Sequence, residues 1–296
     1  AMSNRSLVNL LMWQIENGIA NSNSKTLQFS PISFDVSFQE VFSTLCAGGA
    51  LVLIHDEVRR DAIALLKLLT QQRIERLFLP FVALQQLVGV AASRDNLPMS
   101  LREIITAGEQ LQITTALTLF LRKIPNCKLQ NQYGPSESHV VTAFTLKDSI
   151  ENYSALPPIG RPIANTQIYI LDFHHQPVPV GIPGELYIGG VSLARKYLNR
   201  PDLTTQKFIP NLFSNESEEQ LYKTGDLARY LPDGNIEFLG RIDNQVKVRG
   251  FRIELGEIEA IISQYPAVRE TVVVVREDKV DSQRIVAYVV VHLEHT

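Results

Sequence analysis

Along residues 7–132 the spacing of apolar positions switches repeatedly between the helical and the strand period. Leu7, Leu11 and the Gln14/Ile15 step fall at helical spacing. A helix over 35–46 stops at Gly48-Gly49 and runs into a strand over 50–54. A helix over 60–72, a strand over 76–79, a helix over 81–91, a strand over 103–106, a helix over 112–123 and a strand over 127–132 follow. This alternation predicts an α/β layer in which a mostly parallel sheet is covered by helices.

The texture changes after about residue 155. "TQIYILD" (166–172), "GELYIGG" (184–190) and "GNIEFLGR" (234–241) read as strands set off by Pro, Gly and Asp turns, as in antiparallel hairpins. "HHQPVPVGIPG" (174–184) is a turn-rich connection. From Ile242 a third texture begins: "QVKVRG", a helix over 256–264, and strands over 271–275 and 284–291. The expected organisation is a large domain over 1–242 with an antiparallel portion, followed by a small α+β domain over 243–296.

Composition narrows the function classes. The chain is 45% hydrophobic with a formal net charge of −3, which offers no basic face for nucleic acid or anionic lipid. No apolar run approaches the roughly 20 residues that span a bilayer. "SLVNLLMWQI" lacks a small-residue cleavage site and reads as a surface helix of a cytoplasmic protein. Cys46 and Cys127 have no metal spacing and read as buried free thiols of a reducing compartment. The histidines form no spaced ligand set, and His139 reads as structural rather than as a base.

Three stretches carry candidate chemistry. In "NQYGPSESHVV" (131–141), Gly134-Pro135 forces a turn after a strand, where open α/β sheets bind ligands. Ser136, Glu137 and Ser138 there suit phosphate oxygens and a Mg²⁺ riding on them; a helix start capped by Ser136 is the alternative. In "YKTGDLARY" (222–230), Asp226 suits a vicinal diol such as ribose, or is a turn aspartate. "GRIDNQVKVRGFRIELGEIE" (240–259) alternates charge along strands, which in isolation is a solvated face.

In combination, "YGPSES", "GELYIGG", "YKTGDLARYLPDGNIEFLGRID" and "NQVKVRGFRIELGEIE" stand in the order and spacing of the adenylate-forming superfamily. The chain resembles, over essentially its whole length, the adenylation domains of nonribosomal peptide synthetases. The resemblance implies activation of a carboxylate by ATP to an acyl-adenylate, then transfer to the phosphopantetheine thiol of a carrier protein. It implies adenine contacts from Asn131 and Tyr133, with the turn at Gly134, a phosphate-side hydroxyl from Ser136, and Mg²⁺ and catalysis at Glu137. It further implies ribose binding by Asp226 with Arg241 beside it, a hinge at Asp243, and Lys247 facing the active site after the hinge turns.

"SFDVSFQEVF" (33–42) resembles the helix that opens the family's amino-acid pocket. Asp35, Val36 and Gln39 share one helix face, and a carboxylate there answers a cationic α-amino group. Asp35 also fits a helix N-cap, and both roles can coexist. A neutral residue at this position would be expected of an aryl- or acyl-CoA ligase. Ile105 and Ala107 alternate on one strand, and Phe78, Gln132, Val140 and Val141 complete the matching wall positions. The set has no second charge and is similar to the family's pattern for proline and methylproline, with Gln132 where His is usual. The resemblance also implies a phosphate-cradling loop before Ala1 and a catalytic Lys beyond Thr296, and leaves room for a small accessory protein. Without those two elements the 296 residues alone are expected to adenylate slowly or not at all.

Overall fold

In chain order the first of two compact units, Ala1–Gly240, begins with α1 (Asn4–Asn17), β1 (Lys25–Gln28), α2 (Val36–Cys46), β2 (Ala50–Leu53), α3 (Asp56–Arg60) and α4 (Ala62–Gln71). It continues with β3 (Arg76–Phe78), α5 (Phe81–Ala91), β4 (Glu103–Thr106), α6 (Thr115–Lys123), β5 (Lys128–Tyr133), β6 (Thr142–Leu146) and β7 (Arg161–Pro162). The structure is a computed structural model and describes residues 1–146, 153–216, 218–243, 245–248, 251–277 and 283–292. The seven strands form one sheet in the order β2-β1-β3-β4-β5-β6-β7, parallel from β2 to β5 and antiparallel at β6 and β7.

Strand alternation divides this sheet into two unlike faces. Leu27, Leu77, Ile104 and Leu129 pack with Leu65 of α4, Leu84 of α5 and Leu117 of α6 in the main core. Each such side chain contributes about 1.5–3 kcal/mol on burial. The residues between them turn the other way: Thr26, Arg76 and Phe78, Glu103 and Ile105, Gln130 and Gln132, all buried. Helices α1 and α2 cover that second face, supplying the buried Gln14, Gln39, Glu40 and Ser43. The first helix is thus half internal, and its buried face centres on Leu10 and Gln14 rather than on Leu7.

The rest of this unit holds β8 (Thr166–Leu171), β9 (Gly184–Gly190), α7 (Pro201–Lys207), β10 (Phe208–Pro210), β11 (Gln220–Tyr230) and all but the last residue of β12 (Ile236–Arg241). Their sheet runs β10-β11-β9-β8, with β12 on β11. In the second unit, Arg241–Thr296, β13 (Gln245–Val248) pairs with β14 (Phe251–Glu254). There α8 (Leu255–Ile262) precedes the hairpin of β15 (Val268–Glu277) and β16 (Gln283–Val291). Among the described residues no helix is long and apolar enough to cross a membrane.

Several expectations are corrected. The helix expected over 60–72 is α4, which starts at Ala62 because Asp61 is extended (φ −115°, ψ 103°) and caps it by accepting from Ile63 N (2.8 Å) and Ala64 N (3.2 Å); the short α3 before it has no counterpart in the periodicity. The helix expected from 112 starts at Thr115, since Thr114 Oγ1 accepts from Leu117 N at 3.3 Å. Strand β1 has no counterpart in the periodicity. Cys46 is exposed at the end of α2 rather than buried; Cys127 is half-buried, and burial pushes its thiol up.

Candidate active site

The turn after β5 closes on itself. Ser138 N donates to Pro135 O (2.9 Å) and Val141 N to Tyr133 O (2.8 Å), and no helix starts at Ser136. The second pass of the loop runs directly against Gly134, where an added Cβ would stand 1.8 Å from the carbonyl oxygen of His139. Only a residue without a side chain fits that approach.

His139 holds the loop to the start of α2. It sits at φ 59°, a costly region for a residue with a Cβ. Its Nδ1 accepts from Val140 N (2.9 Å), so the ring proton lies on Nε2, which donates to Asp35 O at 2.9 Å. The Ser136 hydroxyl, exposed on the same loop, donates to Asp35 Oδ2 (2.8 Å), while Asp35 Oδ1 accepts from Val36 N (2.8 Å). Asp35 is therefore both the cap of α2 and a partner of the loop.

On its other side the loop meets the second sheet. Tyr133 OH donates to the buried carboxylate of Asp226, and the Tyr133 ring lies 6.3 Å from that of Phe238. Asp226 sits within β11, not in a turn. Lys223 pairs with Tyr187 and Leu227 with Glu185, so β11 takes four steps where β9 takes two, and the bulge re-aims Asp226. Thr224 Oγ1 accepts from Asp226 N (2.9 Å) and donates to Leu186 O (2.6 Å). Glu137 accepts from Tyr197 OH (2.5 Å), and Ala194 N donates to its backbone oxygen (2.7 Å). Burial, and then the contact with Glu137, push the Tyr197 hydroxyl up, so it stays a donor.

Asn131 faces the same side of β5 as Tyr133, where its Nδ2 donates to Pro158 O (2.9 Å). Gln132 faces the opposite side and joins Gln39: Gln39 Nε2 donates to Gln132 Oε1 (2.9 Å). Phe78 and Ile105 are register partners on that same face, with Gln130 next to Ile105; Ala107 lies just beyond β4 and Val36 opens α2, both half-buried. Val140 packs against Leu10 and Ile163, whereas Val141 belongs to the second-sheet core with Tyr133 and Ile188. The two valines therefore serve different clusters.

Arg241 lies in the second unit and grips Asp243 with both arms, Nε to Oδ1 at 2.7 Å and Nη2 to Oδ2 at 2.6 Å. Lys247 is on β13 opposite Arg252, and its side chain lies outside the described residues.

Two buried polar residues bordering these positions have no sequence signal beyond a polar residue on a helix. Gln14 Oε1 accepts from both Gln39 Nε2 and Gln132 Nε2, each at 2.7 Å. Glu40, fully buried on α2, accepts from Ser30 N and Ser30 Oγ (3.0 Å each), Phe29 N and Gln28 Nε2 (3.3 Å each), fixing the turn that leads to Asp35. Burial pushes Glu40 up to about 7, against the pull of those donors. The folded state thus holds its proton where the unfolded chain has lost it. Stability is expected to fall as pH rises from 4.5 through about 7, by about 3 kcal/mol in total. In Glu40→Gln, urea unfolding at pH 5 and pH 8 should show that slope removed; an unchanged slope would place its source elsewhere.

The sequence model of the AMP-binding enzyme family matches residues 1–198. The chain belongs to the AMP-binding enzymes. Gramicidin S synthase 2 of Brevibacillus brevis is 46% identical over 293 residues, which cover 99% of this chain and 6% of that synthase. Among solved AMP-binding folds, a four-domain nonribosomal peptide synthetase bound to AMP and glycine aligns with 97% of this chain and 21% of its own, at 32% identity and TM-score 0.69. A nonribosomal peptide synthetase protein with adenylation and carrier (PCP) domains aligns with 94% of this chain and 47% of its own, at 27% identity and TM-score 0.82. The chain thus spans a small part of the curated synthase it matches. The mixed α/β layers with an antiparallel second sheet are those of the adenylate-forming fold.

Among the described residues no group of three or more His, Cys, Asp or Glu could hold a metal alone. A Mg²⁺ on nucleotide phosphates needs less: one carboxylate, with phosphate oxygens and water completing the shell. Glu137 fits that requirement.

Proposed function

We propose that this chain activates an uncharged amino acid with ATP and hands it to a carrier-protein thiol, with proline or methylproline the best match to the wall positions. The observation that supports this most is the loop over 134–139. It touches Asp35 through Ser136 and His139, while the adjoining Tyr133 touches Asp226. A substrate ammonium and a ribose would then be held from two sides of one turn.

In this reading Asp35 receives the α-ammonium, and Phe78 and Ile105 flank the side chain. Tyr133 and Asn131 border the adenine, Asp226 accepts from the ribose hydroxyls, and Arg241 stands with it in the sequence motif. Ser136 donates to phosphate. Mg²⁺, held by Glu137 and the phosphates, would neutralise charge there. The substrate carboxylate oxygen attacks the α-phosphorus and pyrophosphate leaves; the carrier's thiol then attacks the acyl carbon, loses its proton and releases AMP. Lys247 would enter in one of these half-reactions, and the division into a large domain over 1–242 and a small one over 243–296 hinged at Asp243 would let it do so. Soluble, cytoplasmic placement and a small accessory protein belong to the same reading.

The test is amino-acid-dependent ATP–pyrophosphate exchange by the polypeptide at its natural full length. Exchange with proline well above leucine, valine and arginine is expected, and Asp35→Ala should reduce it by about 100-fold. Exchange driven by another amino acid would discard proline alone. Absence of exchange with every amino acid would sink the reading.

A further inference from the structure

Beneath the proposed wall lies a cluster of buried polar groups. It starts at Arg76, fully buried, whose Nε donates to Glu103 Oε2 at 2.8 Å. Glu103 Oε1 and Gln14 Nε2 both border the space over Gly18, at 3.2 and 3.1 Å from where a Cβ would stand. Gln14 Nε2 has no hydrogen-bond partner among the described residues, while Gln14 Oε1 faces Gln39 and Gln132. Gln14 Oε1 then accepts from both their amide nitrogens. Gln132 Nε2 also donates to Gln130 Oε1 (2.6 Å), and Gln39 Nε2 to Gln132 Oε1. Every amide nitrogen of Gln39 and Gln132 is thereby spoken for.

One donor, Gln14 Nε2, and one acceptor are left over in this network. Gln39 is 0% exposed, and its Oε1 has no hydrogen-bond partner among the described residues. A buried carbonyl oxygen without a donor is costly, and a binding site can leave it so when the ligand supplies the donor. We propose that Gln39 Oε1, oriented by Gln14, reads a hydrogen-bond donor on the substrate side chain, so that the preferred amino acid is a small one bearing a hydroxyl, such as a hydroxylated proline. Gln14 is a positioning residue in this scheme, since it acts through Gln39 and Gln132. The inference rests on the amino-acid reading above and deepens it.

The test compares matched pairs in pyrophosphate exchange by the full-length polypeptide: 4-hydroxyproline against proline, and threonine against the isosteric valine. In whichever pair exchanges, the hydroxyl-bearing member should lead in kcat/KM by about tenfold or more. In Gln39→Met and in Gln14→Met, both close in volume to the parent, that lead should collapse while KM for ATP stays put. A general loss of packing would instead lower both members of a pair together. Equal kcat/KM within each pair of the unmodified protein, or a lead for the hydroxyl-free member, would overturn the inference and leave adenylation standing. A lead that survives both Met variants would also overturn it. No exchange with any amino acid would remove the proposed function and this inference with it.

Discussion

Gly134→Ala is expected to cut amino-acid-dependent exchange by about 100-fold or more while the chain stays folded. The added methyl would overlap the His139 carbonyl oxygen, 1.8 Å away, so one strand of the loop must move. Both strands are tied: His139 to Asp35 and Val140, Tyr133 to Asp226. Displacement therefore reaches Asp35 and Asp226 at once, and KM for the amino acid and for ATP should both rise. Circular dichroism and thermal melting are the controls. A variant with ordinary KM values would mean that the loop has a second path that preserves both contacts.

Glu103→Ala should cost about 3–5 kcal/mol in urea unfolding, a large part of the roughly 5–15 kcal/mol that stabilises a whole domain. The cause is the charge left behind. Arg76 is fully buried; its other polar contacts are Thr26 Oγ1 at 3.4 Å and Ser43 Oγ at 3.3 Å, and Nη2 has no partner among the described residues. Its guanidinium carbon stands 5.4 Å from the centre of the Phe78 ring, a contact too weak to replace a carboxylate. The double variant Arg76→Met with Glu103→Leu removes both charges and should recover most of the loss. If it is as unstable as Glu103→Ala, the deficit comes from packing.

These residues also show what the sequence could and could not disclose. Helix α5 and strands β4 and β9 stand where the periodicity placed them, because each is an apolar run bounded by turn residues. Strand β1, Lys-Thr-Leu-Gln, was invisible because only Leu27 faces an apolar layer while Thr26 faces the polar one. A polar residue on a strand ordinarily signals solvent, so Arg76, Glu103 and Gln130 gave no hint of being buried. Gln14 and Glu40 are silent for the same reason on their helices. The loop over 134–139 was legible as chemistry through its turn residues. Its partner Tyr197, close only in space, was not. The bulge that re-aims Asp226 likewise depends on pairing with β9 and leaves no local mark.

The alternation of β5 sets a rule for engineering. Under the proposed function its odd positions, Asn131 and Tyr133, belong to the nucleotide, and its even positions, Gln130 and Gln132, belong to the side chain being chosen. One short strand is then a party wall between a constant tenant and a variable one. New substrates can be sought by exchanging even positions and their neighbours on α1 and α2, with the ATP side untouched. Inserting or deleting a single residue in β5 would send each tenant to the wrong room, so diversity here should arise by replacement and never by a change of length.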